Sequence, residues 1–180
     1  MNPMTFFYSL IFFLRIKIRR NSFISGFPTV RGWVRILGSG SINIGSSVRL
    51  NSGISYNPIG GDTKLFLISN EGAELTIGNQ VGISNSTIFC THSILIDDNA
   101  MIGGSVKIYD TNFHSLDPVI RNDNILDKKN AKKAQVKIGN SAFIGAHSII
   151  LKGSIIDEGA IVGAGTIVRG HFENKFLAID

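Results

Sequence analysis

The sequence predicts an all-β fold, a parallel β-helix in which short strands stack coil upon coil. An aliphatic residue recurs at every sixth position of the last third, at Ile138, Ile144, Ile150, Ile156, Val162 and Val168. A small or apolar residue follows four places after each of the first five, at Ala142, Ser148, Ser154, Ala160 and Thr166. A step of six matches neither the helical period of 3.6 nor the strand period of 2. A short fixed repeat is typical of a solenoid, and three such steps make a triangular coil.

The composition agrees with stacked strands joined by sharp corners. Of the 180 residues, 43% are hydrophobic, 17% are charged and 20 are glycines, and glycine tolerates corner conformations that are closed to larger residues. The net charge of +5 predicts an anionic partner. The single cysteine, Cys90, excludes an internal disulfide framework and fits a reducing, cytoplasmic compartment. A buried free thiol is the simplest interpretation of Cys90.

Residues 1–25 are predicted to form an apolar and basic segment that precedes a β-helix domain of residues 26–180. The run from Met4 to Leu14 is almost wholly apolar, and the basic residues Arg15, Lys17, Arg19 and Arg20 follow it. The run is too short to span a bilayer, and its charges follow the apolar part, unlike those of a secretory signal. It could pack on the end of the solenoid or on another subunit. We favour an amphipathic helix in peripheral contact with the inner face of the plasma membrane.

Before residue 138 the repeat is looser. A turn cluster at Asn57–Asp62 predicts a small loop, and a slip of one residue near Ser93–Leu95 predicts a bulge or a wide corner. Residues 109–135 break the pattern, are polar and predict an extended loop, a kind of segment that is often functional. The earlier positions that keep the six-residue rhythm or its accompanying fourth place are Gly38, Ile42, Ile44, Val48, Leu50, Ile54, Tyr56, Ile77, Ile83, Phe89, Ile96, Ile102 and Ile108.

These repeats resemble the hexapeptide-repeat acyltransferases, which fold as left-handed parallel β-helices. The resemblance covers Leu75–Val168 well, the earlier coils loosely and residues 1–31 not at all. The left hand comes from this resemblance, because left-handed parallel crossovers are otherwise very rare. The segment Ile108–Asp117 (IYDTNFHSLD) is similar to one in the maltose and galactoside O-acetyltransferase branch, in which a histidine at the start of the extended loop is the catalytic base.

His114 occupies the place of that histidine. A neutral imidazole can take the proton of a sugar hydroxyl as the hydroxyl attacks a thioester carbonyl. A carboxylate on the other ring nitrogen would fix the tautomer, as in catalytic triads, and Asp110 and Asp117 are close in sequence. The alternative is a loop histidine that only caps a turn.

The resemblance also implies a homotrimer that binds acetyl-CoA in grooves between its subunits. Matching IGAHSI and VGAGTIVRG onto the family pattern puts Ala146, Ala164, Arg169 and Gly170 at cofactor-contacting positions. Small residues there would let backbone groups reach the pantetheine amides, and the Arg169 guanidinium would bind phosphate. Asn85 and Asp110 are the candidates for acceptor binding. The tail lacks the proline that family members usually carry, so the sequence leaves open how the adenine end of CoA is held.

Together these inferences predict an O-acetyltransferase that moves an acetyl group from acetyl-CoA directly to a carbohydrate hydroxyl, in surface polysaccharide assembly. We expect no nucleic-acid partner and no metal. Three alternatives remain: acetylation of a small amine or antibiotic, a non-catalytic scaffold, and a metal protein like the γ-type carbonic anhydrases. The four histidines, His92, His114, His147 and His171, could supply ligands to such a metal, but they lack the close paired spacing associated with that family.

Overall fold

The computed structural model describes residues 1–60 and 64–173 and confirms the left-handed parallel β-helix. Its strands pair in parallel in one seven-stranded and two six-stranded sheets, so that each coil gives one strand to each sheet. In chain order the strands are β1 (Phe23–Ile24), β2 (Thr29–Arg31), β3 (Arg35–Leu37), β4 (Ser41–Ile44), β5 (Arg49–Asn51), β6 (Phe66–Ser69), β7 (Glu74–Ile77), β8 (Gly82–Ser84), β9 (Thr87–Cys90), β10 (Ser93–Ile96), β11 (Met101–Ile102), β12 (Lys107–Tyr109), β13 (Val136–Ile138), β14 (Phe143–Ile144), β15 (Ile149–Ile150), β16 (Ile155–Ile156), β17 (Ile161–Val162), β18 (Ile167–Val168) and β19 (His171–Phe172). The first sheet runs β1-β4-β7-β10-β13-β16-β19, the second β2-β5-β8-β11-β14-β17 and the third β3-β6-β9-β12-β15-β18.

The aliphatic residues of the six-residue repeat point into the coil, as predicted. All six from Ile138 to Val168 are buried, and they stack in register, Ile144 on Val162 and Ile150 on Val168. Burying one such side chain stabilises the fold by about 1.5–3 kcal/mol. The apolar core therefore runs along the axis of the helix.

In the earlier coils the sequence rhythm identifies the inward positions only in part. Ile42, Ile44, Val48, Leu50, Ile77, Ile83, Ile96, Ile102 and Ile108 are buried as predicted. Gly38 and Ile54 are exposed, and Tyr56 and Phe89 are half-buried. In β9 the inward residues are Ile88 and Cys90, one place either side of Phe89. The slip near Ser93–Leu95 is not a bulge, because Ser93–Ile96 is a regular strand. The irregular spacing falls at the corners before and after β9, which agrees with the alternative of a wide corner.

Helix α1 (Pro3–Lys17) closes the N-terminal end of the β-helix. Asn2 caps it by accepting a hydrogen bond from the Thr5 amide at 2.8 Å, and Pro3 occupies the first turn, where its missing N–H costs nothing. Phe12 and Ile16 of α1 belong to the same buried core as the coils. Helix α1 thus shares the core of the coils, and β1 already pairs with β4. No helix in the described residues is long and apolar enough to cross a membrane.

Two arginines attach the end of α1 to the first coils. Arg15 donates to the carbonyl oxygens of Val34 and Ile36 at 3.2 and 3.3 Å. Arg19 donates to Gly38 at 2.8 Å and to Gly40 at 2.7 Å. Half of the basic cluster thus satisfies backbone carbonyls at the open end of the solenoid.

The segment 109–135 leaves the coil where predicted but is not an irregular loop. It contains α2 (Pro118–Arg121) and α3 (Asn124–Asn130), capped by Asp117 and Asp123. The neck of the segment is closed by hydrogen bonds from the Asn112 amide to the Lys132 carbonyl and from the Ala134 amide to the Asp110 carbonyl, both at 3.0 Å. The closed neck holds the segment, here called the helical loop, against the coil. Asp62, in the other predicted loop, lies outside the described residues.

Candidate active site

His114 and Asp127 form a hydrogen-bonded pair in the helical loop. The distance from His114 Nδ1 to Asp127 Oδ2 is 2.6 Å. The His114 side chain is 67% exposed and that of Asp127 is 8% exposed. Because Nδ1 is bound to the carboxylate, the imidazole presents Nε2 to solvent. An Nδ1–H tautomer held in this way leaves the Nε2 lone pair available to a reacting group.

Asp127 is positioned by α3 and by the backbone beside the histidine. Its second oxygen, Oδ1, accepts a hydrogen bond from the Ser115 amide at 2.6 Å. The Ser115 carbonyl accepts one from Arg121 Nη1 at 3.1 Å. The hydrogen bond to the His114 ring, followed by that of the Ser115 amide, holds the pKa of the Asp127 carboxyl below its ordinary value. Asp127 is therefore anionic at neutral pH and suited to stabilise an imidazolium.

The carboxylate that binds the His114 ring is Asp127, and not Asp110 or Asp117, which are closer in sequence. Asp117 caps α2 by accepting from the Val119 and Ile120 amides. Asp110 is fully buried. Asp127 lies thirteen residues after His114, and only the formation of α3 brings it back to the ring. No local motif marks it; predicting a helix at residues 124–130 would have been the one usable signal.

The two predicted acceptor-binding residues, Asp110 and Asn85, are fully buried and bind backbone groups. The Asp110 carboxylate accepts hydrogen bonds from the amides of Thr91 and His92 and from the Thr91 hydroxyl, at 2.7–2.9 Å, and so fixes the corner after β9. Asn85 is also fully buried. Its amide group accepts from the Gly53 amide at 2.7 Å and donates to the Asn57 carbonyl at 2.9 Å. Both residues therefore hold backbone segments together in the single chain, and their role in acceptor binding stays a prediction.

Phe113, the residue before His114, helps to position the histidine by packing on the third sheet. Its φ of +64° is in the left-handed region, which is uncommon for a bulky residue and is kept only where surrounding contacts enforce it. Its ring packs edge-on against Phe89 and Tyr109, with centroids 5.0 and 5.1 Å apart. These contacts anchor the backbone immediately before His114 to the outer face of the third sheet.

The predicted cofactor residues lie on the last coils, at two different corners. Ala146 and Ala164 stack at the corner between the second and third sheets. A Cβ on Gly145 would lie 2.5 Å from the Ala164 nitrogen, so only glycine permits this close stacking. Arg169 and Gly170 are exposed at the corner between the third and first sheets. Only Arg169 shares a pocket with the helical loop, a cavity of about 380 Å³ lined by Thr111, Asn112, Leu116, Leu151, Lys152 and Arg169.

The remaining histidines and the cysteine lie apart from this site. His92 and His147 are exposed corner residues, and His171 pairs with Asp157 at 2.7 Å. The described part of the chain contains no group of three His, Cys, Asp or Glu residues that could hold a metal ion. Burial raises the pKa of the Cys90 thiol to about 12. Cys90 is therefore a protonated core residue and unsuited to nucleophilic attack.

Comparison with known proteins identifies the repeat. The family described as bacterial transferase hexapeptide (six repeats) matches residues 135–170. The match falls on the C-terminal coils of the β-helix. A search of curated proteins finds no match.

Among solved structures, the chain is similar to AntD, an N-acyltransferase from Bacillus cereus. Its complex with dTDP and 3-hydroxybutyryl-CoA is 25% identical, with a TM-score of 0.66 over 97% of this chain and 83% of that chain. A variant of AntD with dTDP and coenzyme A is also 25% identical, with a TM-score of 0.66 over 88% and 78% of the two chains. Another variant, holding dTDP-4-amino-4,6-dideoxyglucose and coenzyme A, is 24% identical with a TM-score of 0.66 over 91% and 80%.

Proposed function

We propose that this chain is an acyl-CoA-dependent acyltransferase in which His114 is the general base and Asp127 its positioning partner. The observation that carries the proposal is the 2.6 Å contact between His114 Nδ1 and Asp127 Oδ2, with the rest of the ring exposed. The similarity to AntD supports an acyl-CoA donor, because that enzyme was crystallised with 3-hydroxybutyryl-CoA. Within this class we propose acetyl-CoA as the donor.

In the proposed reaction, transfer is direct. His114 Nε2 takes the proton of the acceptor hydroxyl while the hydroxyl oxygen attacks the thioester carbonyl. Asp127 stabilises the imidazolium that forms. Backbone N–H groups receive the charge that develops on the carbonyl oxygen. As the C–S bond breaks, the imidazolium returns its proton to the CoA sulfur, which leaves an ester, free CoA and a neutral histidine.

For the acceptor we propose a carbohydrate hydroxyl, as used in surface polysaccharide assembly. The dTDP bound by AntD supports an acceptor of carbohydrate type. The second candidate is an amino sugar, favoured by the description of AntD as an N-acyltransferase. The same base serves either acceptor, since an amine must also lose a proton on acylation. Matched sugars that carry either a hydroxyl or an amino group at one carbon would separate the two.

We further propose that the active unit is a homotrimer with the donor bound between subunits. An apolar row supports a subunit contact on the outer face of the second sheet, where Met101, Phe143 and Ile161 stack in register. These side chains are 50%, 39% and 39% exposed in the single chain. Within this assembly Ala146 and Ala164 would flank the pantetheine arm, and Arg169 would bind a phosphate. Gly170 would leave room beside it.

The test is CoA release from acetyl-CoA, followed with a thiol reagent, over a panel of free and nucleotide-linked sugars. The background should be low because the only protein thiol is buried. We expect His114→Ala to lower kcat by about 10²–10⁴-fold and to leave the protein folded, because the side chain is exposed and lies in the helical loop. His92→Ala, which removes another exposed histidine, is the control. Near wild-type kcat for His114→Ala would overturn the assignment.

Asp127→Asn tests the positioning role separately. We expect a lower kcat with an unchanged KM for acetyl-CoA, because the carboxylate acts on the imidazolium and makes no contact with the donor. ¹⁵N NMR of the His114 ring should show loss of the uniform Nδ1–H tautomer. An unchanged tautomer and an unchanged kcat together would assign Asp127 a purely structural role.

A further inference from the structure

Helix α1 carries large apolar side chains on the side that faces away from the protein as well as on the side that faces the core. Its buried face includes Thr5 and Ser9, and Ser9 Oγ accepts a hydrogen bond from the Val30 amide at 2.8 Å. The opposite side presents Phe7 and Leu14, which are 47% and 49% exposed. A surface helix of a soluble protein ordinarily shows polar residues on its outer face. The apolar character of this outer face indicates that it is covered by something other than water.

The first coil extends this apolar surface. Phe6 stacks on Phe27 with centroids 5.8 Å apart, and Phe7 meets Trp33 edge-on at 6.1 Å. Phe27 and Trp33 are 41% and 45% exposed. The outer stripe of α1 and these rings form one continuous patch, here called the apolar pole. Contiguous exposed patches of this kind mark interaction sites, and tryptophan is enriched where proteins meet the membrane–water boundary.

Charge is segregated along the axis of the molecule in the same direction. Residues 1–60 contain seven Arg and Lys and no Asp or Glu, whereas residues 61–180 contain eleven Arg and Lys and thirteen Asp and Glu. Because the coils stack in chain order, the first third of the sequence forms one end of the solenoid. The end that carries the apolar pole is therefore strongly cationic, and the rest of the molecule is slightly anionic.

The cationic side chains beside the apolar pole differ in what they contact. Arg15 and Arg19 are bound to carbonyl oxygens of the first coils. Lys17 and Arg20 are exposed at the end of α1, and the Lys17 ammonium lies 5.5 Å from the centre of the Phe13 ring. Lys17 and Arg20 are thus placed to meet an anionic surface that lies against the apolar stripe.

We propose that the apolar pole binds the surface of an anionic lipid bilayer, with α1 lying in the interface and Lys17 and Arg20 on lipid phosphates. Hydrophobic burial and attraction to anionic headgroups are the two terms that hold a helix at an interface. The rival occupant is a second copy of the chain. Two cationic poles placed face to face would repel each other, whereas a bilayer of the opposite charge complements the pole. The proposal does not depend on the acyltransferase assignment.

Flotation of the full chain with vesicles tests the electrostatic contribution to membrane binding. We expect binding to phosphatidylcholine vesicles that contain phosphatidylglycerol, and little binding to phosphatidylcholine alone. Raising the salt from 0.01 to 0.15 M should weaken binding, because the screening length falls from about 30 to about 8 Å. Lys17→Gln/Arg20→Gln should lower the partition coefficient by about thirtyfold. Lys128→Gln/Lys129→Gln, which removes two charges from the helical loop, should leave it unchanged.

Substitution of the outer apolar stripe of α1 tests the hydrophobic contribution to membrane binding. Phe7→Gln/Leu10→Gln/Leu14→Gln should abolish flotation and should keep the melting temperature and the oligomeric mass, because these side chains point away from the core. Val119→Gln/Ile125→Gln, which changes two exposed apolar residues elsewhere, is the control and should float as the wild type does.

Two outcomes would overturn the proposal. One is wild-type flotation of the triple variant, which would show that the stripe does not touch lipid. The other is wild-type protein that ignores anionic vesicles. If the triple variant of such a protein also lost oligomeric mass, the apolar pole would be a contact between copies of the chain.

Discussion

At the scale of single residues, the Asp127 carboxylate organises the site by binding two adjacent groups, the His114 ring and the Ser115 amide. The two contacts together set both the direction of the ring and the path of the backbone that carries it. Since these contacts hold the pKa of Asp127 below its ordinary value, the arrangement is complete above the pKa of an unfolded aspartate. It is lost as the pH falls through the depressed value.

Arg169 gives a prediction at the same scale. It lines the pocket beside the helical loop together with Lys152, and a phosphate contact is made equally in the ground and transition states. Arg169→Ala should therefore raise the KM for acetyl-CoA about tenfold or more, as expected for loss of one charge-assisted hydrogen bond, with little change in kcat. Steady-state kinetics beside Lys128→Ala, a variant with the same loss of charge, would check this.

Equal KM values for wild type and Arg169→Ala would assign phosphate recognition to another cation. Lys152 would then be the first to substitute, since it shares the pocket. Lys175, another cation that could bind the phosphate, lies outside the described residues.

At the scale of elements, α1 packs on the end of the β-helix with one face and presents the outer apolar stripe with the other. Phe12 and Ile16 complete the core, and Arg15 and Arg19 bind carbonyl oxygens of the first coils. A chain that started at Asn21 would lose all four and would expose the open end of the solenoid. Such a deletion would therefore change folding and any membrane contact together, which is why point variants of the outer stripe are the sharper test.

The last strand, β19, provides a pH-dependent prediction. The hydrogen bond between His171 Nε2 and Asp157 Oδ1 raises the pKa of His171. The stabilisation from this pair is fully present below the ordinary histidine pKa of about 6.5 and is lost as the pH rises through the raised value. Titration by NMR should show a lower midpoint for His171 in Asp157→Asn than in wild type. Asp97→Asn, which removes a carboxylate paired with Lys137, should leave that midpoint in place; equal midpoints in all three proteins would contradict the pairing.

At the scale of the whole molecule, stability depends on an uninterrupted apolar axis. Ile150 is fully buried and pairs with Ile108 on one side and Val168 on the other. Ile150→Asp should destabilise the fold by more than about 4 kcal/mol, because a buried charge without a partner is among the costliest single changes. Thermal unfolding measures this. Ile149→Asp is the matched control, since Ile149 is the outward neighbour on the same strand, and equal melting temperatures for the two variants would contradict the inward register.

The sequence by itself determined the repeat, the sheet architecture and the place of the proposed base. Aliphatic side chains that recur at every sixth position must be buried in the interior of the coil. The period alone therefore predicts which residues point inward: Ile138, Ile144, Ile150, Ile156, Val162 and Val168. The break in that periodicity also locates the helical loop and His114. Where corners vary in length, as they do before and after β9, a constant step of six no longer identifies the inward residue, and Phe89 is half-buried for this reason. Ile54 and Tyr56 depart from the predicted pattern because they lie in the segment between β5 and β6, outside any strand.

Only the tertiary structure decided which polar residue meets which. Asp110 is four residues from His114 and turns into a corner, whereas Asp127 is thirteen residues away and is returned to the ring by α3. Likewise the composition of residues 4–14 shows an apolar helix, but not that Thr5 and Ser9 face the core while Phe7 and Leu14 face outward. Contacts between side chains depend on how a loop or helix folds back on its support, and that geometry arises from packing that no local pattern encodes.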